Sequence, residues 1–458
     1  MVASASPRPV ERLSANDLTV LATDRGSVPM NIAAALVLDQ GDDLSQAELG
    51  RLLELRLPAV PRLRQRLAAT PVGCGRPVWV DDASFSVERH LSGGTVSTDT
   101  ELLGVVADLV TTRLDPRLPL WRAFLARDLP GHRSALVLVL HHVLADGLGG
   151  LAVLAALADG AAETARPLPL PDPGAFPRAA PDVRDLALDT VRAHLVELRG
   201  LPAALARGVR GLQELGLGHR PRLAVRTSLN QPSGGRRRLS VAAVPLADVA
   251  AAAHRAGGTV NDVVLTAVVG ALRDTLAARG EHPEQMVVSV PVAARTRGDA
   301  ARLGNEVGVR PVAVPTLPHH HERLAAVVRL TRAARTTTRA ASAAPLGLAF
   351  RALARAKVFQ VFIERQRLVH TFETNLRGPS DPLFLGGHRI TQIIPAAVSP
   401  GNVGVSFTVL SYAGELAVTV VADPEILPEQ DRLTDSLASA LDTLAPGPGE
   451  WSPHPHRT

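Results

Sequence analysis

Six prolines fall within the sixteen residues from Arg166 to Pro181, RPLPLPDPGAFPRAAP. Proline has no N–H and a fixed φ, so this density fits neither a helix interior nor a central strand. The chain must therefore fold as two structured blocks joined by an extended segment. With 458 residues in all, each block is long enough to bury a core of its own. The divisions read from the sequence are 1–165, a linker or crossover with helices at 166–225, and 226–458.

Within each block strand-like and helix-like stretches alternate. Met30 to Leu38 is an apolar run of strand length, and Ser45 to Leu57 spaces Leu49, Leu52, Leu53 and Leu57 as a helix, with Ser45 and Glu48 as a capping box. Ser134 to His142 reads as a strand and Leu148 to Leu157 as a buried helix. The second block offers strands at Leu239–Val244, Met286–Pro291, Val403–Leu410 and Glu415–Val421. Its helices are expected at Asp248–Ala256, at Asn261–Leu276 with Val264, Val268, Ala271 and Leu272 on one face, and at Gln430–Leu444. The fold class is α/β (α+β), with a mixed sheet and packed helices in each block.

Several function classes drop out. Cys74 is the single cysteine, so disulfide frameworks and thiolate zinc sites are excluded. The pI of about 10.5 invites a nucleic-acid reading. Yet the formal excess is only +5, and Lys357 is the one lysine among 49 basic residues. The pI thus reports arginine usage. Three Trp, one Tyr and nine Phe offer few stacking platforms, so no nucleic-acid partner is expected. The N-terminus lacks an apolar h-region, and the uncharged stretch Ile390–Gly414 is broken by Pro395, Pro400 and Gly401 into two strands joined by a turn. A cytoplasmic protein is expected, with peripheral membrane contact left open.

The stretch Ser134–Gly150, SALVLVLHHVLADGLGG, carries the chemistry. An apolar strand ends in His141 and His142, then turns through Asp146-Gly147 into a helix. Adjacent strand residues point to opposite faces, so one histidine faces a substrate and the other is architectural. Histidine is the natural general base near neutral pH. A zinc reading fails on spacing, since adjacent histidines seldom converge on one ion. His319, His320 and His321, ahead of Glu322, read as an exposed helix start, and no metal is expected.

The pattern His-His-x-x-x-Asp-Gly resembles the active-site motif of the superfamily that holds chloramphenicol acetyltransferase, condensation domains and the bacterial wax ester synthase/diacylglycerol acyltransferases. Pro119-Leu120-Trp121 resembles the PLW motif of the last family, and Asn261-Asp262 its ND motif. Leu13-Ser14 with Asp17, Pro29-Met30, Leu229-Asn230, Val290-Pro291-Val292 through Arg295, Gly304-Asn305 and Thr374–Pro379 extend the likeness through most of the chain. Asn31, Gln231 and Arg377 depart from the family pattern. Asp262 alone would be explained by the dipole of a helix start.

The resemblance implies two acetyltransferase-like subdomains with an active-site tunnel between them. It implies acyl transfer from acyl-CoA, a substrate and not a cofactor, to a long-chain alcohol or a diacylglycerol. His142 is then the base, Asp146 holds the loop with an arginine, for which Arg295 is the expectation, and Gly147 allows close backbone approach. Asn261 is the candidate for oxyanion support. Arg329, Arg332, Arg335 and Arg339 form a helical stripe that could meet anionic lipid, or simply a solvated face. Two rivals remain: a related acyltransferase using a carrier-bound acyl group and another acceptor, and a non-catalytic lipid-droplet or scaffold protein.

Overall fold

The computed structural model describes residues 10–41, 44–159, 176–196, 199, 224–293, 307–337, 353 and 358–446. Residues 166–175 of the proline-rich segment lie outside these, and 176–181 form neither helix nor strand.

The first block supplies β1 (Asn31–Leu38), β2 (Gln65–Ala68), β3 (Val78–Asp81), β4 (Leu91–Thr95), β5 (Trp121–Leu129) and β6 (Arg133–His141). Its helices are α1 (Ala15–Thr23), α2 (Gln46–Arg56), α3 (Asp99–Thr111) and α4 (Gly147–Leu157). The second supplies β7 (Arg238–Pro245), β8 (Gln285–Ala293), β9 (Val307–Pro315), β10 (Thr371–Arg377), β11 (Phe384–Leu385), β12 (His388–Ala397), β13 (Val405–Tyr412) and β14 (Glu415–Ala422). Its helices are α5 (Leu246–Arg255), α6 (Val260–Ala278), α7 (His320–Thr337), α8 (Phe359–Ile363) and α9 (Gln430–Leu444).

Two six-stranded sheets result, ordered β11-β12-β1-β6-β5-β4 and β7-β14-β13-β10-β8-β9, beside a small β2–β3 hairpin. Both large sheets are mixed: β4 runs parallel to β5, and β10 runs parallel to both of its neighbours. The continuous apolar run of β6 follows from burial on both faces. Leu136, Leu138 and Leu140 enter one core while Ala135, Val137 and Val139 enter the other.

Local signals set many boundaries. Ser45 and Glu48 close the expected capping box at α2, and α9 spans the residues its pattern suggested. Helix α6 differs from the one-faced helix expected: Asp262 to Leu272 are buried without interruption. The second sheet together with α5, α7 and α9 encloses it in one apolar cluster, so no polar face is required.

The largest departure from a reading by halves concerns Ile390–Gly414. Two strands do form, but not as a hairpin. β12 pairs antiparallel with β1 in the first sheet, from Ile32 opposite Ala397 to Leu38 opposite Ile390, while β13 lies in the second sheet between β10 and β14. Between them Gly401 adopts φ +77°, and a Cβ there would stand 2.4 Å from the Ile363 carbonyl oxygen. The intervening residues therefore carry the chain from one sheet to the other instead of reversing it. Residue 226 divides the sequence but not the sheets.

Strand β12 is buried on both faces, with Ile393 in one core and Ile394 in the other. Ile393→Ala should cost about 2–5 kcal/mol of stability. Denaturant unfolding followed by tryptophan fluorescence checks this, with a loss below 1 kcal/mol contradicting it.

Candidate active site

Strand β6 ends at a pair of histidines that the fold treats differently. His141 is buried, and its backbone N–H donates to the Leu120 carbonyl at 2.9 Å. Its Nδ1 accepts the Val143 N–H at 3.1 Å. Nδ1 therefore carries no proton, and the ring proton of the neutral form sits on Nε2, which faces Asp24 Oδ1 at 3.4 Å. Both ring nitrogens of His141 are thus engaged.

Asp24 anchors this arrangement. Its Oδ1 accepts the Met30 N–H at 2.6 Å, and Arg113 Nη1 stands 3.3 Å from its Oδ2. Burial alone would raise the Asp24 carboxyl, but the hydrogen bonds from His141 and Met30, aided by the positive charge of Arg113, outweigh it and hold the pKa below the usual value. The Met30 carbonyl in turn accepts the His142 N–H at 2.7 Å. One peptide segment before β1 therefore fixes both the aspartate that orients His141 and the backbone of His142.

His142 follows β6 directly and is half-buried. The chain then tightens, with Leu144 N–H donating to the His141 carbonyl at 2.8 Å, and enters α4. Asp146 caps that helix: its side chain accepts the Gly149 N–H at 2.9 Å and its carbonyl accepts the Gly150 N–H at 2.8 Å. Arg295, the expected partner of Asp146, lies outside the described residues.

Gly147 marks the meeting of the two sheets. A Cβ on it would lie 2.8 Å from Cδ2 and 3.0 Å from Cδ1 of Leu376, on β10 of the second sheet. Close approach, not a positive φ, is what favours glycine here, because any side chain would need the Leu376 methyls to move aside. The Thr374–Pro379 segment thus abuts the helix start that follows the histidines, a contact that sequence periodicity does not reveal.

Pro119-Leu120-Trp121 leads into β5 and serves the same strand end. Leu120 receives the His141 N–H, while Trp121 stacks on His90 at 4.5 Å between ring centroids and donates from Nε1 to the Leu63 carbonyl at 2.7 Å. Asn31, where the family pattern often has histidine, pairs in register with His141. Its amide donates to the carbonyls of Val110 and Thr112, which ties β1 to the end of α3.

The Asn261-Asp262 pair opens α6. Asp262 Oδ2 accepts the N–H and the hydroxyl of Thr259, each at 2.8 Å, which is the helix-start role its position suggested. Asn261 is half-buried, and its amide is set against Glu373 of β10. Sequence reasoning missed Glu373, as it missed Asp24. Glu373 is 0 % exposed, and neither carboxyl oxygen has a hydrogen bond of good geometry among the described residues. Burial, with the nearby charge of Asp262, pushes its pKa to about 8, and the Asn261 amide offsets only part of that rise.

His319 and His321 are exposed near the start of α7, but His320, expected exposed with them, is half-buried where the helix turns its first residue toward the fold. Among the described residues no group of three or more His, Cys, Asp or Glu could hold a metal ion.

Two family models match the chain. The wax ester synthase/diacylglycerol acyltransferase catalytic domain matches residues 13–264, and the C-terminal domain of the same family matches 303–445. A probable diacylglycerol O-acyltransferase of Mycobacterium tuberculosis is 28 % identical over 430 residues, covering 91 % of each chain. A putative one from the same organism is 29 % identical over 470 residues, covering 95 % of this chain and 90 % of the relative. In structure, the wax ester synthase/diacylglycerol acyltransferase of Marinobacter aquaeolei VT8 matches with a TM-score of 0.67 at 21 % identity, covering 94 % of this chain and 98 % of the other. The condensation domain of the Monacolin K polyketide synthase MokA matches with a TM-score of 0.62 at 14 % identity, over 97 % and 99 % of the two chains. The expected mixed α/β fold is the fold found.

The Gly147–Leu376 contact generates a paired prediction. Gly147→Ala should lower activity by about tenfold or more, since displacing a helix start at the site misplaces reacting groups. Gly147→Ala combined with Leu376→Ala should recover much of it, because the second change removes the methyls in the way. Steady-state acyl transfer by the two variants decides this, and no recovery in the double variant would refute the steric account.

Proposed function

The chain belongs to the wax ester synthase/diacylglycerol acyltransferase family, and from that premise we propose that it moves a fatty acyl group from acyl-CoA to a long-chain alcohol or a diacylglycerol. The observation that carries the residue assignment is the state of His141. With both its nitrogens committed to Val143 and Asp24, it is not the base, and the base is the adjacent His142.

In this reading His142 takes the proton of the acceptor hydroxyl as that oxygen attacks the thioester carbonyl. The tetrahedral intermediate carries its negative charge on the former carbonyl oxygen, which the Asn261 amide steadies. Collapse forms the ester, breaks the carbon–sulfur bond, and returns the proton from His142 to the departing thiolate of CoA. No acyl-enzyme is required. Cys74 supports this, since it is buried in a small apolar cluster with Val78, Val80 and Leu186. Asp146 and Gly147 shape the loop without touching the reacting atoms.

The proposed acceptor is a lipid, so the reading includes peripheral contact with a membrane or lipid inclusion and a tunnel between the two sheets for the acyl chain. No helix of the described residues is long and apolar enough to cross a membrane. Exposed Leu330 beside Arg329 on α7 supports surface contact. The stripe is not wholly free for lipid, because Arg332 donates to the Gly257 carbonyl at 2.7 Å. Arg339 and most of 345–357 lie outside the described residues.

Purified protein given palmitoyl-CoA with hexadecanol or a diacylglycerol should release CoA and form the matching ester. His142→Ala should reduce turnover by about 10² to 10⁴-fold. Full activity in that variant, or no turnover with any acyl-CoA, would overturn the reading. Preference for a carrier-bound acyl thioester would favour the related condensing enzyme instead.

A further inference from the structure

Strand β10 places a carboxyl group inside an apolar core. Glu373 lies beside Phe407 of β13 in parallel register, and Phe407 belongs to the cluster packed under α6 and α9. Burying a carboxyl without good hydrogen bonds is costly, and ionising it there costs much more. Such a group is a structural liability unless it does something. Two residues of the first turn of α6, Asn261 and Asp262, act on it. Asp262 is occupied by Thr259. Three residues further along β10, Leu376 presses on Gly147 beside the histidines. Glu373 and Leu376 project from opposite faces of β10, so Glu373 lies on the α6 side of the strand, against Asn261, while Leu376 reaches Gly147 on the other.

We propose that Glu373, as the uncharged acid, is a positioning residue for Asn261, pairing with the amide and leaving one amide N–H directed at the reacting carbonyl oxygen. This rests on the oxyanion role proposed for Asn261. A neutral carboxyl can donate its O–H to the amide oxygen while its carbonyl accepts one amide N–H. The second amide N–H is then the only group left to face the substrate. A carboxylate can only accept, so ionisation removes the donor that holds the amide oxygen. The amide then turns its N–H groups towards Glu373, and its oxygen faces the developing oxyanion.

The charge state needed is the one that burial favours. Burial and the charge of Asp262, the charged group acting on Glu373 from α6, raise the pKa to about 8. The apolar residues around Phe407 in the core under α6 and α9 bring no opposing charge. The sign for stability follows. The native carboxyl titrates above its ordinary value of 4.5, so its contribution to stability is full below that value and is lost as pH rises through about 8.

The test compares Glu373→Gln, Glu373→Leu, Asn261→Ala and the Asn261→Ala/Glu373→Leu double variant, with kcat measured from pH 6 to 9.5 at saturating palmitoyl-CoA and thermal melts alongside. Wild type should lose kcat above about pH 8. Glutamine forms the same two-way pair with an amide but does not titrate, so Glu373→Gln should keep most of kcat at pH 7 and lose the alkaline limb. It should also gain more in Tm at pH 9 than at pH 6. Glu373→Leu should lose about 10 to 100-fold in kcat with KM for acyl-CoA little changed, and the double variant should be no worse than Asn261→Ala. An alkaline limb that persists in Glu373→Gln, or additive losses in the double variant, would overturn the role of Glu373 alone. A wild-type kcat in Asn261→Ala would overturn the oxyanion reading, and the present proposal with it. Should Glu373→Leu fail to fold, the glutamine pH profile still decides.

Discussion

Strand β1 is hydrogen-bonded on both sides, to β6 along one edge and to β12 along the other, and the site depends on that double pairing. On the β6 side it sets Asn31 opposite His141 and brings Met30 under the backbone of His142. On the β12 side it captures a strand that the chain makes only after building most of the second sheet. The first sheet is not complete from one half of the sequence, since β11 and β12 come from the second block. The cores show the same sharing: the cluster around Trp121 takes in Leu410 and Tyr412 of β13, and the cluster around α3 takes in Leu239 of β7 and Val421 of β14.

Around the histidines the fold buries polar groups and then satisfies them with backbone. His141, Asp24 and Asp146 are held by the N–H groups of Val143, Met30 and Gly149. Backbone donors fixed by strand and helix geometry keep their orientation without extra side-chain entropy, which suits groups that must hold one tautomer and one angle. Glu373 departs from this pattern, a buried acid set against a side-chain amide instead of backbone.

Much of this was legible in the sequence. The Ser45–Glu48 box, the apolar run of β6, the α4 and α9 spans and the Asp146 turn are local patterns, and local patterns survive folding. The family resemblance spanned both blocks, as the matching domains do. What escaped was non-local. Asp24 and His141 are far apart in sequence, and no spacing rule links them or joins Arg113 to the same group. Strand β12 could not be assigned to the first sheet, because its alternation suits either sheet and its partner lies more than 350 residues earlier. Helix α6 showed a clear apolar face, yet the number of elements packed on it was not encoded in its period. Glu373 sat in a segment read for its resemblance, where a single acidic residue gave no signal until its burial was seen.

The peptide at Met30 works through its main chain alone: its N–H serves Asp24 and its carbonyl serves His142. The side chain at this position is therefore released from the chemistry. Of the twenty residues, only an imino acid, having no proton to give, cuts the line to Asp24 through the main chain.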